Sequence, residues 1–80
     1  MLDRIFADFN NCDPLGRVRL NSDGTLADLK EKKITLKRGQ KFLLNDDDGL
    51  STIGEIVFSA NEKIWVAKID WDTFQVDNRQ

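Results

Sequence analysis

The feature that most constrains the fold is a pair of segments near the C-terminus, residues 52–60 and 63–71. Both segments are rich in β-branched and aromatic residues, and a turn is predicted between them near Asn61-Glu62. This pattern is typical of two antiparallel strands joined by a short connection. The hairpin is the clearest element that the sequence predicts.

Shorter strands are predicted before the hairpin. Residues 17–20 alternate charged and apolar side chains, which is typical of a half-buried strand. Residues 34–36 are expected to be extended, and residues 41–45 to form a strand. Residues 2–9 fit two patterns, because their apolar residues match a helical stripe as well as one face of a strand. We expect a strand or an extended arm there, with a helix as the alternative.

One short helix is predicted over residues 25–33. Thr25 followed by Asp28 is a variant of the helix capping pattern, and Leu26 and Leu29 share a face. Basic side chains in the last turn suit the negative end of the helix dipole. Upstream of this helix, the order of residues in Asp13-Pro14-Leu15-Gly16 predicts a type I turn.

These elements together predict a mainly β (α+β) fold with about five short strands and one short helix. Turn signals recur about every eight to twelve residues, which is typical of small all-β domains. Open edges of a short sheet invite pairing, so we expect a small, strongly bent antiparallel sheet or an SH3-like barrel. The pattern resembles the SH3-like small barrels in architecture over roughly residues 17–71. The length predicts a single small globular domain, residues 1–80.

The residue types present exclude several kinds of chemistry. The chain has no histidine and one cysteine, Cys12. It therefore cannot form a Ser-His or Cys-His nucleophile pair, a zinc site with histidine, or a four-cysteine zinc site. No glycine loop that could hold a phosphate is present. We expect a protein that is not an enzyme and that uses no cofactor.

Three features predict a location in the cytoplasm. The apolar runs are only a few residues long, so no segment is expected to span a membrane. The N-terminal residues include acids where a signal peptide needs a basic and then an apolar region. A lone cysteine fits a reducing compartment.

A run of three aspartates before Gly49 raises the possibility of a calcium loop. With Gly49 at position six of an EF-hand loop, Asp46, Asp48 and Glu55 occupy three of the ligand positions. Position one, however, is Leu44, which has no side-chain oxygen, and the flanking segments are predicted strands instead of helices. We expect a turn whose aspartates bond their own backbone and in which Gly49 has a positive φ, and we predict no metal site. A weak cation site of another kind is the alternative.

An acidic and aromatic surface is the first candidate for binding. Strand alternation places Trp65, Ala67, Ile69 and Trp71 on one face. We expect Trp65 to fill the core and Trp71 to lie at a rim, because the charges on either side of Trp71 are seldom fully buried, with a core position as the alternative for Trp71. Aromatic residues dominate the energetics of interfaces, so we predict a protein-protein interaction module or an accessory subunit. The candidate partner-binding residues are Trp71, Asp70, Asp72, Asp46, Asp47 and Asp48.

A basic segment supports an alternative function. Between residues 30 and 41 the only acid is Glu31, and the basic residues are Lys30, Lys32, Lys33, Lys37, Arg38 and Lys41. Such a patch could contact phosphates, which makes nucleic-acid binding the alternative. The formal net charge of −2 argues against it, because nucleic-acid-binding domains are usually strongly basic. The expected partner is therefore another protein, with nucleic acid less favoured and no membrane.

Overall fold

The computed structural model describes residues 2–76, which form five strands and one helix. The elements are β1 (Arg4–Phe6), β2 (Val18–Arg19), α1 (Asp23–Glu31), β3 (Lys41–Asn45), β4 (Leu50–Ser59) and β5 (Ile64–Val76). All strands of this part of the chain belong to one sheet in the order β1-β3-β4-β5-β2. The sheet is strongly curled into a half-barrel, which confirms the prediction of a small, bent, mainly β fold with one helix.

Several element boundaries differ from the prediction. β1 pairs with β3 in parallel, whereas the other strand pairs are antiparallel as expected. β5 continues to Val76 instead of ending at residue 71, and residues 34–36 belong to no strand. Of residues 2–9, only Arg4–Phe6 form a strand. The parallel pair was not predicted because it joins segments that are distant in sequence, and no local pattern encodes such a pairing.

The hydrophobic core lies on one face of the curled sheet. Ile56 of β4 pairs with Ala67 of β5, which also pairs with Val18 of β2, and all three side chains are buried. The other buried apolar residues that join this cluster are Ile5, Ala7, Leu20, Phe42, Leu44 and Ile69. Side chains from the helix and the loops, including Leu29 and Phe9, pack against the cluster. Loops and helix therefore cover the face that the strands leave apolar.

The helix protects the outer edge of β1. This strand lies at the end of the sheet, so the backbone groups of Arg4 and Phe6 on its outer side have no neighbouring strand. Phe6 N–H donates to Asp28 Oδ2 at 2.8 Å, and the Phe6 carbonyl accepts from Thr25 Oγ1 at 2.7 Å. The Lys32 ammonium group donates to the Arg4 carbonyl. Unpaired edges are sites of aggregation, so these three side chains take the place of a further strand.

The start of the helix is set by Ser22. Its Oγ accepts the Thr25 N–H at 3.3 Å, so the helix begins at Asp23, two residues before the predicted start. Ser22 acts as the N-cap, and its hydroxyl also lies 2.8 Å from the Thr25 hydroxyl, which donates to β1. Gly24 allows the helix to approach closely, because a Cβ at this position would lie 2.5 Å from the Phe6 ring.

The predicted turn at Asp13-Pro14-Leu15-Gly16 is present and is built around a buried carboxylate. Asp13 is 6% exposed, and its Oδ1 accepts the N–H groups of Leu15 and Arg17, each at 2.9 Å. Its Oδ2 accepts from Arg17 Nε at 2.8 Å. Burial opposes ionisation of Asp13, but the hydrogen bonds from Arg17 and Leu15 outweigh it and lower the pKa of the carboxyl group.

A second ion pair fastens β2 to the hairpin turn. Arg19 donates from Nε to Glu62 Oε1 at 2.7 Å and from its terminal nitrogen to Oε2 at 2.8 Å. These hydrogen bonds lower the pKa of the Glu62 carboxyl group.

The described part of the chain contains no helix of the length and hydrophobicity that a membrane crossing requires.

Replacing Thr25 by valine should lower the free energy of unfolding by about 1–3 kcal/mol. The change keeps the shape of this fully buried side chain but leaves the Phe6 carbonyl without its donor. The exposed Thr35 is the control, and Thr35→Val should change the free energy of unfolding by less than about 0.5 kcal/mol. Urea denaturation measures both. Equal losses in the two variants would show that the bond to β1 is not a major contribution.

Asp13→Asn should reduce stability at neutral pH and change the response to acid. Because the pKa of Asp13 is lower in the folded chain, the ionised carboxylate stabilises the fold above about pH 4, and this contribution is lost as the pH falls through the folded-state pKa. The difference in the free energy of unfolding between the wild type and Asp13→Asn should therefore shrink as the pH is lowered from about 4 through the folded-state pKa of Asp13. Urea denaturation at several pH values tests this. A difference that stays constant over that range would contradict it.

Candidate functional site

A large bulge interrupts β5 opposite Thr52 of β4. Ile53 pairs with Asp70 and Ser51 pairs with Gln75, so the four residues 71–74 of β5 face a single residue of β4. A bulge bends its strand and redirects side chains, and bulges are common beside binding sites. The bulge contains Trp71 and is the structural origin of the candidate site.

Two threonine hydroxyl groups hold the bulge in place. Thr73 Oγ1 accepts the Ile53 N–H at 2.8 Å and donates to the Asp70 carbonyl at 2.9 Å. The hydroxyl of Thr52, which is buried, donates to the same carbonyl at 3.0 Å. Asp72 N–H donates to Asp70 Oδ1 at 3.1 Å. These bonds replace the missing ladder bonds, so the bulge has a defined shape in the folded chain.

Trp71 is presented at the surface by this bulge. Its side chain is 67% exposed, in agreement with the expectation that it lies outside the core. The alternation that was expected to place it with Ala67 and Ile69 ends at Asp70, because the bulge follows. Trp65, by contrast, is half-buried, packs against the core and contacts Phe58 edge-on at 5.2 Å between ring centroids.

Two phenylalanines connect Trp71 to the core. The ring centroids of Trp71 and Phe74 lie 5.4 Å apart, and Phe74 contacts Phe9 edge-on at 5.6 Å. Phe9 in turn packs against the buried cluster. The indole is thus exposed to solvent but held in contact with Phe74, which reduces the conformational entropy that it would lose on binding.

Trp71 borders a depression of about 420 Å³ on the outer face of the sheet, opposite the core. Its other lining residues are Lys41, Ile53, Glu55, Lys68, Ile69, Asp70 and Asp72. Glu55 pairs across the strands with Lys41 on one side and with Lys68 on the other. One end of the depression is therefore slightly basic, and the end beside Trp71 carries two carboxylates.

The aspartate turn has the local bonding that the sequence predicts. Asp46 Oδ1 accepts the N–H groups of Asp48 and Leu50, each at 2.9 Å, and Gly49 has a φ of 86°. The Asp46 carboxylate is thus committed to its own turn. Within residues 2–76, no three side chains of the metal-binding types His, Cys, Asp and Glu come together.

The structure separates the two halves of the predicted acidic surface. Asp70 and Asp72 share the depression with Trp71, whereas Asp46 and Asp47 line another one together with Arg4. The two depressions have no lining residue in common. They are neighbours on the sheet, because Leu43, which lines the first, pairs across the strands with Ile53, which lines the second. Asp48 is exposed and lines neither depression. The candidate site therefore consists of Trp71 with Asp70 and Asp72.

The basic residues of the alternative site are all exposed, but they do not share one role. Lys32 donates to the Arg4 carbonyl and lies 3.8 Å from Asp28 Oδ2. Lys33 follows the C-cap residue of the helix and has a φ of 56°, and Lys41 lies on the sheet beside Glu55. Lys30, Lys37 and Arg38 are the other members. Nucleic-acid binding through this set stays a prediction.

No family model matches the chain, and no curated protein or solved structure is significantly similar to it. A small β fold does not by itself indicate a function, because related architectures serve many unrelated ones. Function must therefore be inferred from the chemistry of the side chains at the site.

The sequence predicts Trp71, Asp70 and Asp72 as candidate site residues, and the structure places beside them further residues that the sequence did not predict. Phe9 and Phe74 come together only because the bulge brings β5 against the N-terminal loop. Lys41, Glu55 and Lys68 form a row only through cross-strand pairing. The alternation of apolar residues in β4 and β5 could have suggested Glu55 and Lys68, but not the bulge.

The bulge should depend on the hydroxyl group of Thr73. Thr73→Val should lower the free energy of unfolding by about 1–2 kcal/mol, because the Ile53 N–H and the Asp70 carbonyl lose a partner. Thr73→Ser, which keeps the hydroxyl group, should lose less. Urea denaturation measures stability, and hydrogen exchange of the Ile53 amide reports the bond directly. Valine and serine variants of equal stability, with unchanged exchange, would contradict this account.

Proposed function

We propose that the protein is a small protein-protein interaction module or accessory subunit that binds its partner through Trp71 and the adjacent carboxylates of Asp70 and Asp72. The observation that carries this proposal is the bulge, which gives up regular pairing and holds a large indole at the surface. Bulges of this kind act as built features that redirect a side chain. An exposed tryptophan held by its surroundings is typical of an interface anchor.

The energetics of Trp71 suit this role. A tryptophan side chain has about 150–250 Å² of surface to bury. Two-thirds of the side chain is exposed, so its burial by a partner would contribute roughly 2–4 kcal/mol. That is the range of a residue that dominates an interface. Because Phe74 and Phe9 support the indole, little rearrangement has to accompany binding.

The mixture of groups around Trp71 also favours a protein partner. Ile53 provides apolar surface, and charged side chains surround it at the edges of the depression. An apolar centre with a polar rim is the usual composition of a protein-protein interface.

We further infer a reducing compartment such as the cytoplasm, since the thiol of Cys12 is unpaired and exposed.

Trp71→Ala should strongly weaken partner binding without unfolding the protein. Purified wild type and variant, immobilised separately, are incubated with lysate of the source cells, and the retained proteins are quantified by mass spectrometry. A true partner should fall by about tenfold or more with Trp71→Ala, as expected for the loss of a dominant interface residue. Circular dichroism checks that the variant is folded.

Leu15→Ala is the matched control. Leu15 is also an exposed apolar residue, at 75% exposure, but it lies in the Asp13 turn and does not line the depression. It should retain the partner at the wild-type level. If the set of retained proteins is the same for wild type, Leu15→Ala and Trp71→Ala, the proposed surface is wrong.

A further inference from the structure

The carboxylates beside Trp71 differ from the other structurally important acids of the chain. Asp13, Glu62 and Asp28 each lie within 4 Å of a basic side chain, those of Arg17, Arg19 and Lys32 respectively. Asp46 is occupied by the backbone of its own turn. These acids have their partners within the fold.

Asp70 and Asp72 have no ionic partner of this kind. Neither carboxylate forms an ion pair within residues 2–76, and Asp70 bonds only the backbone N–H of Asp72. Lys68, the closest basic residue in the strand, lies opposite Glu55 of β4 and is in no ion pair with Asp70 or Asp72. The end of the depression beside Trp71 therefore carries two negative charges that the described residues leave uncompensated.

An exposed indole between two carboxylates has a defined chemical complement. The face of a tryptophan ring attracts cations more strongly than that of tyrosine or phenylalanine. A planar guanidinium group can stack on the ring while its N–H groups donate to a carboxylate, and an ammonium group can make the same two contacts less specifically. A neutral or acidic side chain would gain one contact at most or would be repelled.

We propose that the partner inserts an arginine or lysine side chain that stacks on Trp71 and pairs with the carboxylates of Asp70 and Asp72. This inference rests on the proposed function, because it names the residue type that the same surface recognises. Charge complementarity carries it: the acidic end of the depression receives the cation, and Ile53 offers apolar contact to neighbouring residues of the same partner segment.

The test begins with a display library of random peptides about ten residues long, selected on the wild-type protein and depleted on Trp71→Ala. Peptides that depend on Trp71 should be enriched in arginine and lysine. The strongest peptide is then synthesised and titrated against the purified 80-residue chain by isothermal calorimetry. Its affinity should fall as salt is raised, because the contacts between charges at an exposed site are screened.

Variants that replace a carboxylate by a carboxamide show which acids contribute to the peptide affinity. Asp72→Asn should weaken binding about five- to tenfold at low salt, and Asp70→Asn together with Asp72→Asn should weaken it further. The amide oxygen of asparagine can still accept the Asp72 N–H, so the bulge is preserved. Glu31→Gln removes the same charge from the exposed end of the helix and should weaken binding less than about twofold.

The outcomes separate the two proposals. If the peptides that depend on Trp71 lack basic residues, or if Asp72→Asn binds as well as Glu31→Gln does, recognition of a cation is refuted and the interaction surface stands. If the selection yields no peptide that depends on Trp71, recognition of a cation is refuted as well. The interaction surface itself is then judged by the lysate experiment with Trp71→Ala and Leu15→Ala.

Discussion

The long antiparallel pairing of β4 with β5 is the interaction on which the rest of the structure depends. Every other strand attaches to it, β3 and then β1 on the β4 side and β2 on the β5 side. Its residues Ile56, Ala67 and Ile69 also form part of the core. The same pair contains the bulge, so one element supplies both the stability of the fold and the surface that displays Trp71.

The edges of this small sheet are satisfied in different ways. Side chains of the helix form hydrogen bonds with the outer edge of β1. At the other end of the sheet, the segment at Asn11 and Cys12 lies along β2, and the Asn11 carbonyl accepts the Arg19 N–H at 2.8 Å. Beyond Ala67, no strand among the described residues pairs with the outer edge of β5. The bulge and the charged side chains of Lys68 and Asp70 make this edge a poor template for a further strand. The exposed aromatic surface is thereby kept available without a flat, open strand beside it.

The carboxylates divide into structural groups and groups that face outward. Those of Asp13, Asp28 and Asp46 each bond backbone N–H groups, so their charge is used to fix a turn or to protect an edge. Those of Asp70 and Asp72 lie beside an exposed indole at the rim of a depression and form no ion pair within residues 2–76, although Asp70 also accepts the Asp72 N–H. Similar residues in similar turn-like sequences thus have different uses, and this difference follows from which backbone and side-chain groups the fold brings near them.

Local sequence patterns determined the elements of this protein, and tertiary structure decided how they combine into a site. Alternating apolar residues predicted strands 41–45 and the C-terminal hairpin, and the turns at Asp13 and at Gly49 followed from residue types that bond their own backbone. The parallel pairing of β1, the contact of Thr25 with Phe6 and the bulge at residues 71–74 could not be predicted. They depend on hydrogen bonds between residues far apart in sequence, whereas propensity and periodicity report only on neighbours along the chain.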